Sequence, residues 1–348
     1  MTCHIFPLSS TRYPVCGRLL LFGLLLFSVS AVAEPIDQRP APLGIAMEGY
    51  PYPYPVQYLH LKIERQDLHM AYMDVQPTAH ANGRTVVLMH GKNFFGAYWA
   101  GTIRFLSAHG FRVVVPDQIG FGKSSKPATY YTFQLLAHNT KRLLDVLEIN
   151  RVTVVGHSMG GMLAVRFALM YPTVTTQLVL ENPIGLEDYR LKVPFKTVDA
   201  IYKDMLGYTE DSIRAYQKPY YAHWKQAYDR YVQVHYRWTL SPEYPRLAWA
   251  SALTYQMIYT QPVVYEFPRI AMPTLVVIGQ QDRTTLGRGE LPAKVLAALG
   301  QYPELGRRTA AALQNAKLVE LEGIGHIPHL EATQRFHAEL LKFLQSTP

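Results

Sequence analysis

Short runs of consecutive apolar residues alternate along this chain with stretches whose apolar positions follow helical spacing. The continuous runs are Thr85–Met89, Val113–Val115, Val152–Val155, Leu178–Leu180, Thr274–Ile278 and Leu318–Leu321. They are rich in β-branched residues and lack polar alternation, which predicts strands buried on both faces. Helical spacing falls between them. It covers Gly96–His109 (Trp99, Ile103, Phe105, Leu106), Phe133–Leu147 (Leu135, Leu136, Leu143, Leu144, Leu147) and Glu331–Leu344 at the end of the chain. Val56–Val75 alternates instead and breaks at Arg65-Gln66-Asp67, so it predicts a hairpin. The order implies an α/β fold: a mostly parallel central sheet flanked by helices, with antiparallel edge strands from the hairpin.

One stretch departs from plain patterning. In Arg151–Pro172 a buried strand runs directly into Gly156-His157-Ser158-Met159-Gly160, and a mostly apolar helix follows until Pro172. A G-x-S-x-G between strand and helix predicts a sharp turn that holds Ser158 in strained backbone angles with its hydroxyl presented. β-carbons at Gly156 or Gly160 would crowd the neighbouring backbone. The helix start points unpaired N–H groups and its positive dipole end at the same place.

Further along, Ile278-Gly279-Gln280-Gln281-Asp282 sets Asp282 just past a buried strand, where open parallel sheets build their sites. Glu181, after the preceding strand, is the alternative acid. Gly323-Ile324-Gly325-His326-Ile327-Pro328-His329 follows the last strand and offers His326 and His329.

Taken together, His90-Gly91, the D-x-x-G-x-G-x-S at Asp117–Ser124, the GHSMGG at Gly156–Gly161 and the late acid and histidine resemble the α/β-hydrolase superfamily. The likeness runs from about Val56 to the C-terminus and is nearest to its capped meta-cleavage-product-hydrolase and carboxylesterase branch. The resemblance implies a nucleophile at Ser158, a base at His326 and an orienting acid at Asp282, in the chain order this fold uses. It implies oxyanion donors at the backbone N–H groups of Met159 and Lys92, with Asn93 next in line and the Lys92 side chain turned to solvent. His90 and the Asp117–Ser124 turn are read as bracing. A serine nucleophile disfavours the epoxide-hydrolase and dehalogenase relatives, which attack with a carboxylate.

Between Pro183 and Pro273 the chain is far longer than one crossover needs. The resemblance makes 184–270 a helical cap, dividing the hydrolase core into 34–183 and 271–348. The cap holds Trp224, Trp238 and Trp249 and 13 of the 24 tyrosines, which suits the wall of a pocket for an apolar or aromatic small-molecule substrate. A second excursion, Thr284–Gln314, is expected to narrow the entrance. The expected activity is that of a serine hydrolase cleaving a carboxylic ester. Carbon–carbon bond hydrolysis, or binding without turnover, is the alternative.

The N-terminus changes the picture of where the chain works. Arg12 and Arg18 precede an apolar run from Leu19 to Phe27, and Ala31-Val32-Ala33 ends a small-residue stretch. That is the pattern of a cleaved export signal over 1–33, which predicts a periplasmic or extracellular protein with no membrane span once cleaved. Both cysteines, Cys3 and Cys16, lie in that segment, so the mature chain has no disulfide. The net charge of +8 becomes 8 − 2 = +6 without Arg12 and Arg18. The cations are scattered, which excludes the concentrated patch a nucleic-acid partner requires. Glu34–Pro55 is Pro-rich, ends in Tyr50-Pro51-Tyr52-Pro53-Tyr54-Pro55, and reads as an extended surface arm. With no P-loop, no dinucleotide fingerprint and no metal-ligand spacing, neither cofactor nor metal is expected, and oligomeric state is left open.

Overall fold

The computed structural model describes residues 12, 13 and 40–346. Of the segment 1–33, only Arg12 and Tyr13 are among them, and both cysteines lie outside the described residues. Eight strands form one sheet in the order β1-β2-β4-β3-β5-β6-β7-β8. They are β1 Val56–Ile63, β2 Gln66–Val75, β3 Thr85–Met89, β4 Arg112–Pro116, β5 Val152–His157, β6 Thr175–Glu181, β7 Thr274–Gly279 and β8 Ala316–Leu321. β2 pairs antiparallel with both β1 and β4, and every pairing from β4 to β8 is parallel. The hairpin reverses one residue earlier than its alternation suggested. Ile63 faces Gln66, and Glu64 and Arg65 both take positive φ, as a two-residue turn matching the strand twist requires.

The unbroken apolar runs have a simple cause, because each strand feeds two cores. Val87, Met89, Val114, Val154, Leu178, Leu180, Val276 and Ile278 point to one face. Val86, Leu88, Val113, Val115, Val155, Val179, Leu275 and Val277 point to the other. Helices α2 Phe133–Val146, α3 Met159–Met170 and α9 Tyr302–Ala312 pack on the first face. α1 Ala100–Ala108 and α11 Thr333–Gln345 pack on the second. The stretch expected as one helix from Gly96 begins as a 3₁₀ turn, Gly96–Trp99, before α1. The closing helix is likewise divided. α10 Pro328–Glu331 and α11 are separated by Ala332, whose φ of −131° and ψ of 46° are not helical.

Between β6 and β7 the chain makes α4 Val198–Leu206, α5 Glu210–Gln217, α6 Asp229–Thr239 and α7 Tyr244–Thr260, with short 3₁₀ turns around them. Between β7 and β8 it adds the single turn α8 Ala293–Leu296 and α9. No described helix is long and apolar enough to cross a membrane.

The Pro-rich segment corrects its reading as a surface arm. From Pro40 onward it is a strap. Leu43, Ile45 and Met47 are buried with Phe95 of the core and Val234, Trp238 and Leu247 of α6 and α7. The Leu43 N–H donates to the Arg237 carbonyl at 2.9 Å, and Arg237 Nε donates back to the Ala41 carbonyl at 2.7 Å. Pro51, Pro53 and Pro55 face solvent while Tyr50, Tyr52 and Tyr54 are half-buried between them. Tyr52 Oη donates to buried Asp117 Oδ2 at 2.6 Å, tying the strap to the turn after β4. Alternation of inward tyrosine and outward proline is what an extended chain needs to lie down on a surface without ladder bonds.

Candidate active site

Strand β5 ends against α3 with no room between them. A β-carbon on Gly156 would fall 2.2 Å from the Gly160 carbonyl oxygen, and one on Gly160 would fall 2.2 Å from the Met89 carbonyl oxygen. That closeness forces Ser158 into φ 57°, ψ −121°, a conformation non-glycine residues rarely hold. Three backbone bonds hold it there. The Ser158 N–H donates to the Glu181 carbonyl, and the Ser158 carbonyl accepts from Gly161 and Ile184.

Ser158 Oγ lies 2.9 Å from His326 Nε2, and His326 Nδ1 lies 2.6 Å from Asp282 Oδ2. All three side chains are buried. The carboxylate only accepts, so the imidazole proton belongs on Nδ1 and the Nε2 lone pair faces the serine hydroxyl. Asp282 is held from both sides. Its Oδ1 accepts the Thr284 N–H at 2.7 Å, and its Oδ2 accepts Asn182 Nδ2 at 2.8 Å. Burial alone would raise its pKa, but the charge and hydrogen bonds of His326, Thr284 and Asn182 outweigh it and hold the carboxyl below its ordinary value.

The two alternatives weighed from sequence meet each other instead. Glu181 Oε1 accepts from the His329 N–H at 2.7 Å and from His329 Nδ1 at 3.0 Å, and the His329 ring stacks on Trp99. Neither side chain is bonded to Ser158 or His326. Behind the site, His157 Nε2 lies 2.8 Å from the His326 carbonyl, which can only accept, so Nε2 carries the proton. Nδ1 must then accept from Tyr98 Oη at 3.0 Å, and that oxygen accepts the Gly91 N–H at 3.1 Å. Burial, then the neighbouring His326 and His329, push the His157 pKa well below its usual value. A neutral ring thus links the loop after β3 to the loop carrying His326.

That loop lies against the serine turn: a β-carbon on Gly91 would meet Ser158 Cβ at 3.1 Å. Among the described residues, the backbone N–H groups of Lys92 and Met159 have no hydrogen-bond acceptor. His90 braces the loop, donating from Nδ1 to the Gly91 carbonyl and accepting the Gln118 N–H at Nε2. Asp117 accepts from Tyr52, Gly96 and Lys123 and touches neither Ser158 nor His326.

Lys92 corrects the expectation of a solvent-directed side chain. Its Nζ donates to the Ser251 carbonyl at 3.0 Å, Ser251 Oγ at 2.8 Å and Thr254 Oγ1 at 3.3 Å, all on α7. Helix oxygens replace water around the ammonium. Burial then lowers its pKa to about 7, and no neighbouring acid offsets that.

A narrow pocket with a cavity volume of about 30 Å³ lies over Ser158 and His326. Tyr216 and Tyr220 from α5 and the turn after it, Ile258 from α7 and Leu286 from the second excursion line it. Tyr220 also accepts the His326 N–H through its carbonyl at 2.6 Å, with its ring 5.1 Å from the imidazole. Sequence reasoning missed Asn182, Tyr220, Tyr98 and His157 as supports. Asn182 could have been suspected, since it directly follows a buried strand end. Among the described residues, no cluster of three or more His, Cys, Asp or Glu side chains is placed to hold a metal.

Comparison with known proteins gives the same fold. A probable hydrolytic enzyme from Pseudomonas aeruginosa PAO1 superposes with a TM-score of 0.85 at 49% identity, over 87% of this chain and 98% of that one. A 2-hydroxy-6-oxononadienedioate/2-hydroxy-6-oxononatrienedioate hydrolase from Paraburkholderia xenovorans is 26% identical over 83% of this chain and 94% of its own length. An uncharacterised protein of Mycobacterium tuberculosis is 38% identical over 105 residues, so this chain spans only 30% of that relative's length. The alpha/beta hydrolase family model matches residues 86–339, from the first parallel strand into the last helix, and this chain therefore belongs to the alpha/beta hydrolase family.

Proposed function

We propose that this hydrolase is a serine enzyme cleaving a carboxylic ester through an acyl-enzyme on Ser158. The observation that carries the reading is the unbroken bond series from Ser158 Oγ through His326 to Asp282 beneath an aromatic-walled pocket. Attack by Oγ on the acyl carbon moves the hydroxyl proton to His326 Nε2. Asp282 holds the tautomer and stabilises the imidazolium. The oxyanion of the tetrahedral intermediate accepts from the Lys92 and Met159 N–H groups, where losing one donor costs about 2.7–4 kcal/mol. His326 returns the proton to the leaving alcohol, and the same base then draws a proton from water to free the acid.

The helices of 184–270 act here as a cap, with Tyr216, Tyr220 and Ile258 shaping the acyl or alcohol pocket. The substrate is a small or mid-sized apolar or aromatic ester. The segment through Ala33 is an export signal in this reading, so protein recovered from the periplasm or medium should begin at Glu34.

Fluorophosphonate labelling of the purified protein, followed by peptide mapping, tests the nucleophile. Stoichiometric modification at Ser158, with labelling and ester turnover both abolished in Ser158→Ala, is the expected result. A folded protein that fails to label and hydrolyses no ester would be a binding protein on this scaffold. A second reading, carbon–carbon hydrolysis, is favoured by the likeness to the Paraburkholderia hydrolase. Turnover of a vinylogous 1,5-diketone at a kcat/KM above that of the best ester would establish it.

A further inference from the structure

The hydrolase reading leaves one charged group in the pocket without a task. Lys92 borders the same cavity as Ser158 and His326, and no carboxylate among the described residues pairs with it. Its three bonds all go to neutral oxygens of α7. Ser251, Thr254 and Ile258 fall at helical spacing on one stripe of α7, and Ile258 lines the pocket, so the ammonium lies on the pocket side of that helix. Thr254 Oγ1 donates its own proton to the Ser251 carbonyl at 3.0 Å. Ser251 Oγ accepts from Lys92, and its O–H has no acceptor among the described residues. Lys92 lacks a counter-charge but already gives its three N–H groups to α7, so a carboxylate would enter by replacing one of those oxygens and accepting the Ser251 O–H.

We propose that Lys92 and Ser251 form an anion subsite that selects esters whose acyl chain carries a second, free carboxylate. The inference rests on the hydrolase reading above. Spacing sets the length of that chain. Gly91 touches Ser158, adjacent Cα atoms are about 3.8 Å apart, and the lysine stem reaches about 6 Å. With the step from Ser158 to Gly91 included, the ammonium is within about 14 Å of the serine, a reach that an acyl chain of about four methylenes ending in carboxylate does not exceed. Burial depresses the ammonium's proton affinity, and a bound carboxylate restores it by supplying the missing counter-charge.

The test compares monophenyl adipate with phenyl hexanoate, esters of matched length that differ in the terminal charge. In the natural protein we expect kcat/KM for the adipate half-ester to exceed that for hexanoate by at least tenfold. The ratio within each variant cancels general damage to the site. It should collapse toward unity in Lys92→Met and survive in Lys92→Arg. Ser251→Asp, which sets a fixed carboxylate against the ammonium, should favour the neutral ester, and it keeps the test decisive should Lys92→Met not fold. Turnover of hexanoate with no preference for adipate, or a preference unchanged in Lys92→Met and Ser251→Asp, overturns the assignment of Lys92. Absence of both turnover and fluorophosphonate labelling at Ser158 overturns the hydrolase reading, and this inference with it.

Discussion

Single side chains in this molecule are tuned mostly by what their burial removes. Asp282→Asn keeps the shape of the site but lets the amide favour the wrong imidazole tautomer. Ester kcat should fall by about 10⁴-fold, with fluorophosphonate labelling of Ser158 slowed in parallel. Lys126 makes a different prediction, about stability. Its buried ammonium donates to the carbonyls of Phe121, Gly122 and Ser124, and burial lowers its pKa to about 7, only partly offset by Asp117 and Glu48. A base whose folded pKa is depressed is protonated more in the unfolded chain between that value and the ordinary 10.5. Folding stability therefore rises with pH across that window. Urea unfolding at pH 7 and pH 9 should show the rise, and Lys126→Met should shrink it. At this scale Ser158, Asp282 and His326 were legible because each polar residue stands at a strand end where only backbone turns are expected. The Lys92 side chain was not legible, because its partners are 159 and 162 residues away on a helix whose rotation no local pattern reveals.

Among elements, the turn between β5 and α3 is the least forgiving. Gly160→Ala would press a methyl carbon onto the backbone of β3, which cannot move without breaking the sheet. We expect a loss of at least about 1–3 kcal/mol, seen as a lower urea midpoint, together with loss of labelling at Ser158. The strap is equally testable. Met47 is fully buried, and Met47→Ala should cost about 2–5 kcal/mol. Tyr52→Phe leaves buried Asp117 one donor short, a loss of about 1.5–3 kcal/mol for a hydrogen bond to a charged group. Both are read by chemical denaturation, with faster proteolysis in α6 and α7 as the local sign. The strands were legible to within about three residues, the largest gap being β6, which begins at Thr175 and not at Leu178, since a run buried on both faces is its own signature. The strap was masked. Its prolines announce the absence of helix and ladder, and say nothing of Leu43, Ile45 and Met47 alternating beneath them. The break at Ala332 was hidden for the opposite reason, because helical spacing continues on both sides of it.

For the molecule as a whole, Pro40–Pro348 clusters as one compact unit, with the helices between β6 and β7 inside it. Backbone CD and tryptophan fluorescence should therefore report one coincident unfolding transition, since Trp99 lies beside the sheet and Trp224, Trp238 and Trp249 lie in the helical insertion. A separate early fluorescence change would mean that the insertion melts alone. The strap adds a matter of timing. Leu43 is bonded to Arg237, and 237 − 43 = 194 residues must be made between the two. At about 5–20 residues per second, the ribosome needs roughly 10–40 s to supply the surface that covers Leu43, Ile45 and Met47. Until α6 and α7 emerge, three apolar side chains near the front of the nascent chain have nothing to rest on. The strap leaves the ribosome early and is then among the last parts of the chain to find its place.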